Sequence, residues 1–478
     1  MFFITLLGLF LRLSNIIKPE GLWNDEYVSW MVASTNFSNG FWNEVVKQCH
    51  MPLYYLYLKP FTQFSDSILR LTSLLPSIIS IVVMYFVGKE YSKKTGIFAA
   101  SVTSVLSFLV YYSQEVRFYS LLFLFSTLSL LFTIKLIKRN SKVNLGWYLF
   151  FNILILFTHV LGIIYVFFNV LYIIYKKRLL TQKLIICLLI PVVFVLLLGI
   201  NILNQLPSSQ WWGTFSYTNI LFLFSDFLSP ILSNNVNAPP VFFYNIKLII
   251  WITVPTLIGL IGLIAGIKNN KGFSMIVLGT IVVMSILAIT GKIVFVTKYT
   301  IEILPIIIIL LSCGFVRMKK CGLMLFALFI AFHLSSFFTP NYVTKKIRAE
   351  GHRIPCVILA AKKPQKVVFT YYAPNRFTRY RNDNGISYSI NKNNRFEYNN
   401  DPKRILENIK IGERVSVVFL DSVSFVPEKY INVIKLPEMF VTFSHIKNML
   451  IEELNNSYRD FDVVTKASWT VITATKYK

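Results

Sequence analysis

The stretch Trp23-Asn24-Asp25-Glu26-Tyr27 places two adjacent carboxylates shortly after the first apolar segment of the chain. Acids are scarce around them. The first 340 residues hold nine: Glu20, Asp25, Glu26, Glu44, Asp66, Glu90, Glu115, Asp226 and Glu302. An acidic dipeptide is ordinarily a solvated pair in a loop. Here Trp23, Tyr27 and Trp30 flank it, and aromatic surroundings that strip water from a carboxylate raise its basicity and suit it to proton abstraction.

A second group lies in Tyr111-Tyr112-Ser113-Gln114-Glu115-Val116-Arg117-Phe118-Tyr119. It reads as a polar turn with an internal Glu115–Arg117 pair, or as an arginine presented to an anion, because a guanidinium matches phosphate oxygens with two parallel hydrogen bonds. Lys298 and Tyr299 open a later apolar run, with Glu302 at i+4 from the lysine. The ordinary reading is a snorkelling lysine paired to a glutamate along one helix face. An ionisable group at the edge of a membrane span is also a functional candidate. His50 and His159 are interfacial hydrogen-bonding groups or substrate contacts. Together these parts comprise a base, one or two cations for an anion, and aromatic loops. They suit sugar transfer from a lipid-linked phosphate. Phosphate leaves as a stable anion, so one carboxylate to deprotonate the acceptor and cations to hold the phosphate suffice.

The elements that position these groups follow from composition. Of 478 residues, 55% are apolar and 16% aromatic, and mean hydropathy is +0.58, which marks an integral membrane protein. The formal charge of +26 sits mostly in short Lys/Arg clusters between apolar runs, the pattern of cytoplasmic loops and not of nucleic-acid binding. Five cysteines without Cys-x-x-Cys or His-flanked spacing point to neither a zinc site nor a disulfide framework. No cofactor or divalent metal is indicated.

Residues 2–17 predict a short first helix interrupted by Arg12, and 18–66 a large outer loop with surface helices near 26–35 and 41–48 and an interfacial run at 52–58. Apolar runs follow at 68–88, 96–113, 119–137, 145–158, 160–175, 184–203, 243–267, 273–291, 299–316 and 321–339. The basic clusters between them fall on one face only if 145–175 makes two short helices turning at Thr158-His159. The expectation is an α-helical polytopic membrane domain over 1–340 with about eleven spans, its N-terminus cytoplasmic, and a second outer loop at 204–242 carrying Trp211 and Trp212. After residue 340 charged residues become frequent. Strand-length runs at Val367–Tyr372, Val415–Leu420 and Trp469–Ala474, with helices near 401–410 and 443–456, predict a small soluble extracytoplasmic α/β domain over 341–478.

Leu11-Arg12-Leu13, then Trp23-Asn24-Asp25-Glu26, then His50-Met51-Pro52-Leu53-Tyr54-Tyr55 resembles the opening of membrane GT-C glycosyltransferases, the group that includes protein O-mannosyltransferases and the aminoarabinose transferase of lipid A. Leu69-Arg70-Leu71 with Pro76-Ser77, the run at 112–119, Thr158-His159, and Lys298-Tyr299 before Pro305 continue the resemblance in order. It covers roughly residues 5–315.

The resemblance implies a polyprenyl-phosphate-sugar donor and an active site under the first outer loop of a bacterial inner-membrane protein. The acceptor would be a glycan, glycolipid or protein. Asp25 matches the catalytic aspartate, with Glu26 beside it. Arg117 and Lys298 fall where family members place cations near the donor phosphate, and His50, Glu115, His159 and Tyr299 are the further substrate-binding candidates. Two departures stand out. His50-Met51-Pro52 replaces the usual His-Pro-Pro, and Lys298-Tyr299 replaces Arg-Tyr, which keeps the charge but gives up the fork. A transporter or flippase of lipid-linked glycans, and a polysaccharide polymerase or ligase, are the rivals. Acids gathered at one face and inner spans nearly free of charge argue against transport.

Overall fold

The computed structural model describes residues 1–177 (except 15, 19, 20, 49 and 140), 193, 218–230, 246–337 (except 269, 292, 294 and 336), 353–362, 366–369, 389–390, 409–420 and 451–477 (except 453, 467 and 468). The chain divides into two compact units, one of Met1–Ile17 with Ser29–Lys346, the other of Lys18–Val28 with Ile347–Lys478.

The first unit is helical. Its elements are α1 (Phe2–Leu13), most of α2 (Asn24–Ser34), α3 (Phe41–Lys47), α4 (Leu53–Leu58), α5 (Asp66–Lys89), α6 (Lys93–Val105), α7 (Ser107–Tyr112), α8 (Tyr119–Lys138), α9 (Lys142–Thr158), α10 (Gly162–Lys177), α11 (Thr218–Leu228), α12 (Ile246–Ile267), α13 (Lys271–Ile289), a 3-10 segment Thr297–Ile303, α14 (Leu304–Arg317) and α15 (Lys319–Ser335). Among the described residues five helical stretches are long and apolar enough to cross a membrane: Asp66–Lys89, Tyr119–Lys138, Ile249–Ile267, Lys271–Ile289 and Thr297–Arg317. Shorter apolar helices accompany them, α1, α9, α10 and α11 among them. Nearly all of the run expected at 184–203 and most of the loop at 204–242 lie outside the described residues.

Residues 145–175 do form two helices. α9 ends at Thr158, His159 takes an extended backbone (φ −146°, ψ 128°), and α10 starts at Gly162. The run expected at 96–113 is instead broken. Leu106 (φ −57°, ψ 114°) separates α6 from α7, and because Val105, Leu106 and Ser107 are buried, the backbone groups freed by the break must be satisfied by neighbours. Arg12 of α1 supplies the donors, reaching the carbonyls of Ser104 (2.7 Å) and Thr103 (2.9 Å) while its Nε donates to Ser77 Oγ (2.8 Å). His333 of α15 supplies the acceptor. Its Nδ1 accepts the Ser107 N–H at 3.3 Å, so its Nε2–H is left to donate to the Leu228 carbonyl at 3.3 Å.

α12 and α14 pack backbone to backbone. A Cβ added at Gly314 would lie 1.8 Å from the Gly262 carbonyl oxygen, and one at Gly266 would lie 1.9 Å from that of Leu310. Small residues permit such an approach between membrane helices, where van der Waals contact supplies much of the association. Gly314→Ala is therefore expected to force the pair apart and destabilise the protein by about 1–3 kcal/mol, read as a lower unfolding midpoint in detergent. An unchanged midpoint would show that the two helices tolerate separation.

The second unit carries a five-stranded sheet in the order β2-β1-β3-β5-β4, from β1 (Lys366–Phe369), β2 (Ser389–Ile390), β3 (Arg414–Leu420), β4 (Tyr458–Lys466) and β5 (Trp469–Lys476). β1 pairs parallel with β2 and β3; β5 pairs antiparallel with β3 and β4, with Val417 opposite Ile472. Val415, Val417, Ile472 and Ala474 alternate onto one face and form a core with Ile409, Leu454 and Tyr458. Helix α16 (Arg353–Lys362) packs on β5. β4 escapes recognition in the sequence because Arg459, Asp460 and Asp462 interrupt its alternation, and its register shifts between Arg459 and Asp462. Most of the helix expected near 401–410 and most of that near 443–456 fall outside the described residues.

Candidate functional site

Helix α2 begins directly at the acidic pair, which occupies its first turn. There the two carboxylates part company. Glu26 is buried, and its Oε2 accepts the backbone N–H of Trp23 at 3.3 Å, the reach-back half of a capping box, from the third helical position to the cap. Asp25 is half-exposed. Both sit where the aligned peptide dipoles favour negative charge. Local helix geometry, not the aromatic neighbours alone, thus sets their environment, and it gives Glu26 a structural task of its own.

The other candidates lie in the first unit, where most of them converge. Arg117 is buried in the turn between α7 and α8. Its Nη1 donates to Ser29 Oγ (3.2 Å) and its Nη2 to His50 Nε2 (3.4 Å). With Nε2 accepting, the His50 proton sits on Nδ1 and donates to Tyr55 Oη at 2.6 Å. Phe118 is the hub below. The Arg117 guanidinium lies 5.2 Å from its ring centroid, His50 meets it edge-on at 5.5 Å, and His159 stacks on it at 4.9 Å and 26°. Tyr54 packs 6.3 Å from the same ring. Burial raises the Tyr54 phenol well above its ordinary range although the Arg117 charge works the other way, so it stays neutral.

The α2 residues that belong to this unit are tied to the turn at Lys59–Thr62. Trp30 Nε1 donates to the Thr62 carbonyl (2.8 Å), and Lys59 Nζ donates to the carbonyls of Ala33 (3.0 Å) and Thr35 (2.6 Å).

The segment opening with Lys298 is not the α-helix expected from 299 onward. Residues Thr297–Ile303 form a 3-10 turn with a kink at Thr300 (φ −117°, ψ 20°). At three residues per turn, i and i+4 fall roughly 120° apart instead of about 40°. Glu302 accordingly pairs with His159 Nδ1 at 3.4 Å, while the Lys298 ammonium lies 5.8 Å from the Tyr119 ring centroid and 5.5 Å from that of Tyr299. Tyr299 in turn packs 5.7 Å from His159. Arg117 also lies 5.8 Å from the Tyr119 ring centroid, so one aromatic ring gathers both cations. Glu115 is buried, and together with Asp226 and Lys298 it acts electrostatically on the Tyr112 hydroxyl.

Of the candidates that residue type and spacing suggest outside the first turn of α2, His50, Arg117, His159, Lys298 and Tyr299 are therefore linked by contacts, and Glu115 stands beside them. Ser29, Tyr55, Phe118 and Tyr119 join the cluster without having been singled out for it, and Glu302, expected to pair with Lys298, joins it through His159. The signal for Phe118 and Tyr119 lay in the aromatic run around Arg117; nothing local announced Ser29. Among the described residues no third metal-ligand-type side chain joins His159 and Glu302.

No protein-family profile matches the chain, and no curated protein matches it by sequence. Solved structures do. ArnT from Cupriavidus metallidurans bound to undecaprenyl phosphate matches with a TM-score of 0.54 and 11% identity, over 99% of this chain and 97% of that one. The apo state of the same protein matches with a TM-score of 0.54, 12% identity, and coverage of 99% and 96%. The oligosaccharyltransferase of Archaeoglobus fulgidus gives a TM-score of 0.48 at 9% identity, over 100% of this chain and 73% of that one. The chain is a multi-pass membrane protein that shares the fold of the ArnT structures.

Proposed function

We propose that the protein is a glycosyltransferase that moves a sugar from a polyprenyl phosphate to a glycan, glycolipid or protein acceptor at the outer face of a bacterial inner membrane. Asp25 takes the proton of the acceptor hydroxyl as its oxygen bonds to the anomeric carbon. The bond from that carbon to the phosphate oxygen breaks, and its electron pair leaves with the phosphate. Arg117 and Lys298 neutralise that charge, the arginine by two directed hydrogen bonds and the lysine as a point charge. Such preorganised cations stabilise a leaving anion most where water is scarce.

The observation that carries this reading is the meeting of Arg117 and Lys298 at the Tyr119 ring, each 5.8 Å from its centroid. Two cations drawn together from distant parts of the chain favour an anionic ligand. The fold likeness to a protein solved with undecaprenyl phosphate supports the same donor class. A transporter would keep ionisable groups along a path near the bilayer midplane; Arg12 is instead committed to the carbonyls freed by the α6–α7 break.

Undecaprenyl phosphate binding to the purified protein tests the proposal. Arg117→Ala is expected to weaken it by about 10–100-fold, the value of one or two charge-assisted hydrogen bonds, and Lys298→Ala by less. Equal affinity in wild type and the Arg117→Ala/Lys298→Ala double variant would remove the phosphate from this site.

A further inference from the structure

We infer that Glu302 is a positioning residue for the anion site, acting on Arg117 through His159 and Phe118. The inference rests on the assignment of Arg117 to the donor phosphate. Glu302 is 1% exposed, and its Oε2 is buried without a hydrogen-bond partner among the described residues. A half-satisfied buried carboxylate is costly to keep, so its other oxygen has work that an apolar side chain would not do.

That oxygen accepts the Nδ1–H of His159 at 3.4 Å. A carboxylate on one ring nitrogen selects the tautomer and fixes the ring plane. The plane so fixed is the one stacked on Phe118, 4.9 Å away and tilted by 26°. Phe118 in turn carries the Arg117 guanidinium at 5.2 Å and the edge of His50 at 5.5 Å, and His50 holds Arg117 by a hydrogen bond. Glu302 thus stands at the far end of a continuous series of contacts that ends on the cation. The 3-10 geometry of Thr297–Ile303 makes this possible by turning Glu302 toward His159 while Lys298 faces the Tyr119 ring.

The test uses the full chain in detergent, with undecaprenyl phosphate as probe. Glu302→Met keeps the reach but removes the acceptor; Glu302→Gln keeps an oxygen acceptor; His159→Phe keeps the stack but removes the tethered N–H. Glu302→Met and His159→Phe are each expected to weaken binding about 10-fold, as small misplacements of a binding group do, and Glu302→Gln by no more than about 3-fold. Combining Glu302→Met with His159→Phe adds less than about 2-fold, because both act through one contact. A loss in Glu302→Gln as large as in Glu302→Met, or effects that multiply, would overturn the inference in favour of a direct role at the ligand.

A second measurement needs no ligand. The Arg117 Nε–H resonance of 15N-labelled protein, which feels the Phe118 ring current, shifts in Glu302→Met and in His159→Phe and returns in Glu302→Gln. An unmoved resonance overturns the inference whether or not lipid binds. Failure of wild type to bind undecaprenyl phosphate, with the resonance moving as expected, instead counts against the donor assignment and leaves the positioning series standing.

Discussion

Asp25→Asn is expected to lower sugar transfer by roughly 10²–10⁴-fold, the usual worth of a positioned general base, while undecaprenyl phosphate affinity changes little. The isosteric amide keeps the shape of the first turn of α2 and removes only the ability to accept a proton. Its neighbour makes the control. Glu26 caps the Trp23 N–H, so Glu26→Gln, which still offers an oxygen there, is expected to leave transfer within a few-fold. Glu26→Ala is expected to cost about 1 kcal/mol of stability through loss of the cap. The measurement is transfer of labelled sugar from a polyprenyl phosphate donor by purified variants. Full activity in Asp25→Asn would end its assignment as the base; loss in Glu26→Gln equal to that in Asp25→Asn would move the role to Glu26.

Arg12→Met is expected to destabilise the first unit by about 2–4 kcal/mol. Two opposing effects decide the size. Removing a buried guanidinium relieves its desolvation penalty, which for ion pairs replaced by apolar groups can make the exchange neutral. Against that, the carbonyls of Thr103 and Ser104 lose their donors, at about 1–3 kcal/mol for each buried group left unsatisfied. Because α6 ends at Val105 and α7 begins at Ser107, no regular helical N–H returns to those carbonyls. The second effect is the larger. Arg12→Lys, with donors on one nitrogen instead of a fork, is expected to fall between wild type and Met. Unfolding in mixed detergent micelles reads the difference, and an Arg12→Met variant as stable as wild type would mean that the break closes when its clamp is removed.

What could be read in advance was local. Apolar run length and the placement of Lys and Arg marked α5, α8, α12 and α13, and the same charges called for the turn at Thr158-His159 that separates α9 from α10. A membrane helix closes its backbone hydrogen bonds within itself, so hydropathy alone nearly specifies it. Strands β3 and β5 were legible for a related reason, since short runs rich in β-branched and aromatic residues, Val415–Leu420 and Trp469–Ala474, need no partner to be recognised.

Tertiary structure decided whatever depended on groups far apart in the chain. The break at Leu106 carries no glycine or proline to announce it; it persists because Arg12 and His333, from helices far apart in the sequence, satisfy the groups it frees. The 3-10 turn at 297–303 reassigned Glu302 from its expected partner Lys298 to His159. Phe118, one of forty-two phenylalanines, became the floor under Arg117 only when α8, α9 and the residue-50 loop closed around it. Residue type tells which side chains can do chemistry, but packing chooses which of them meet.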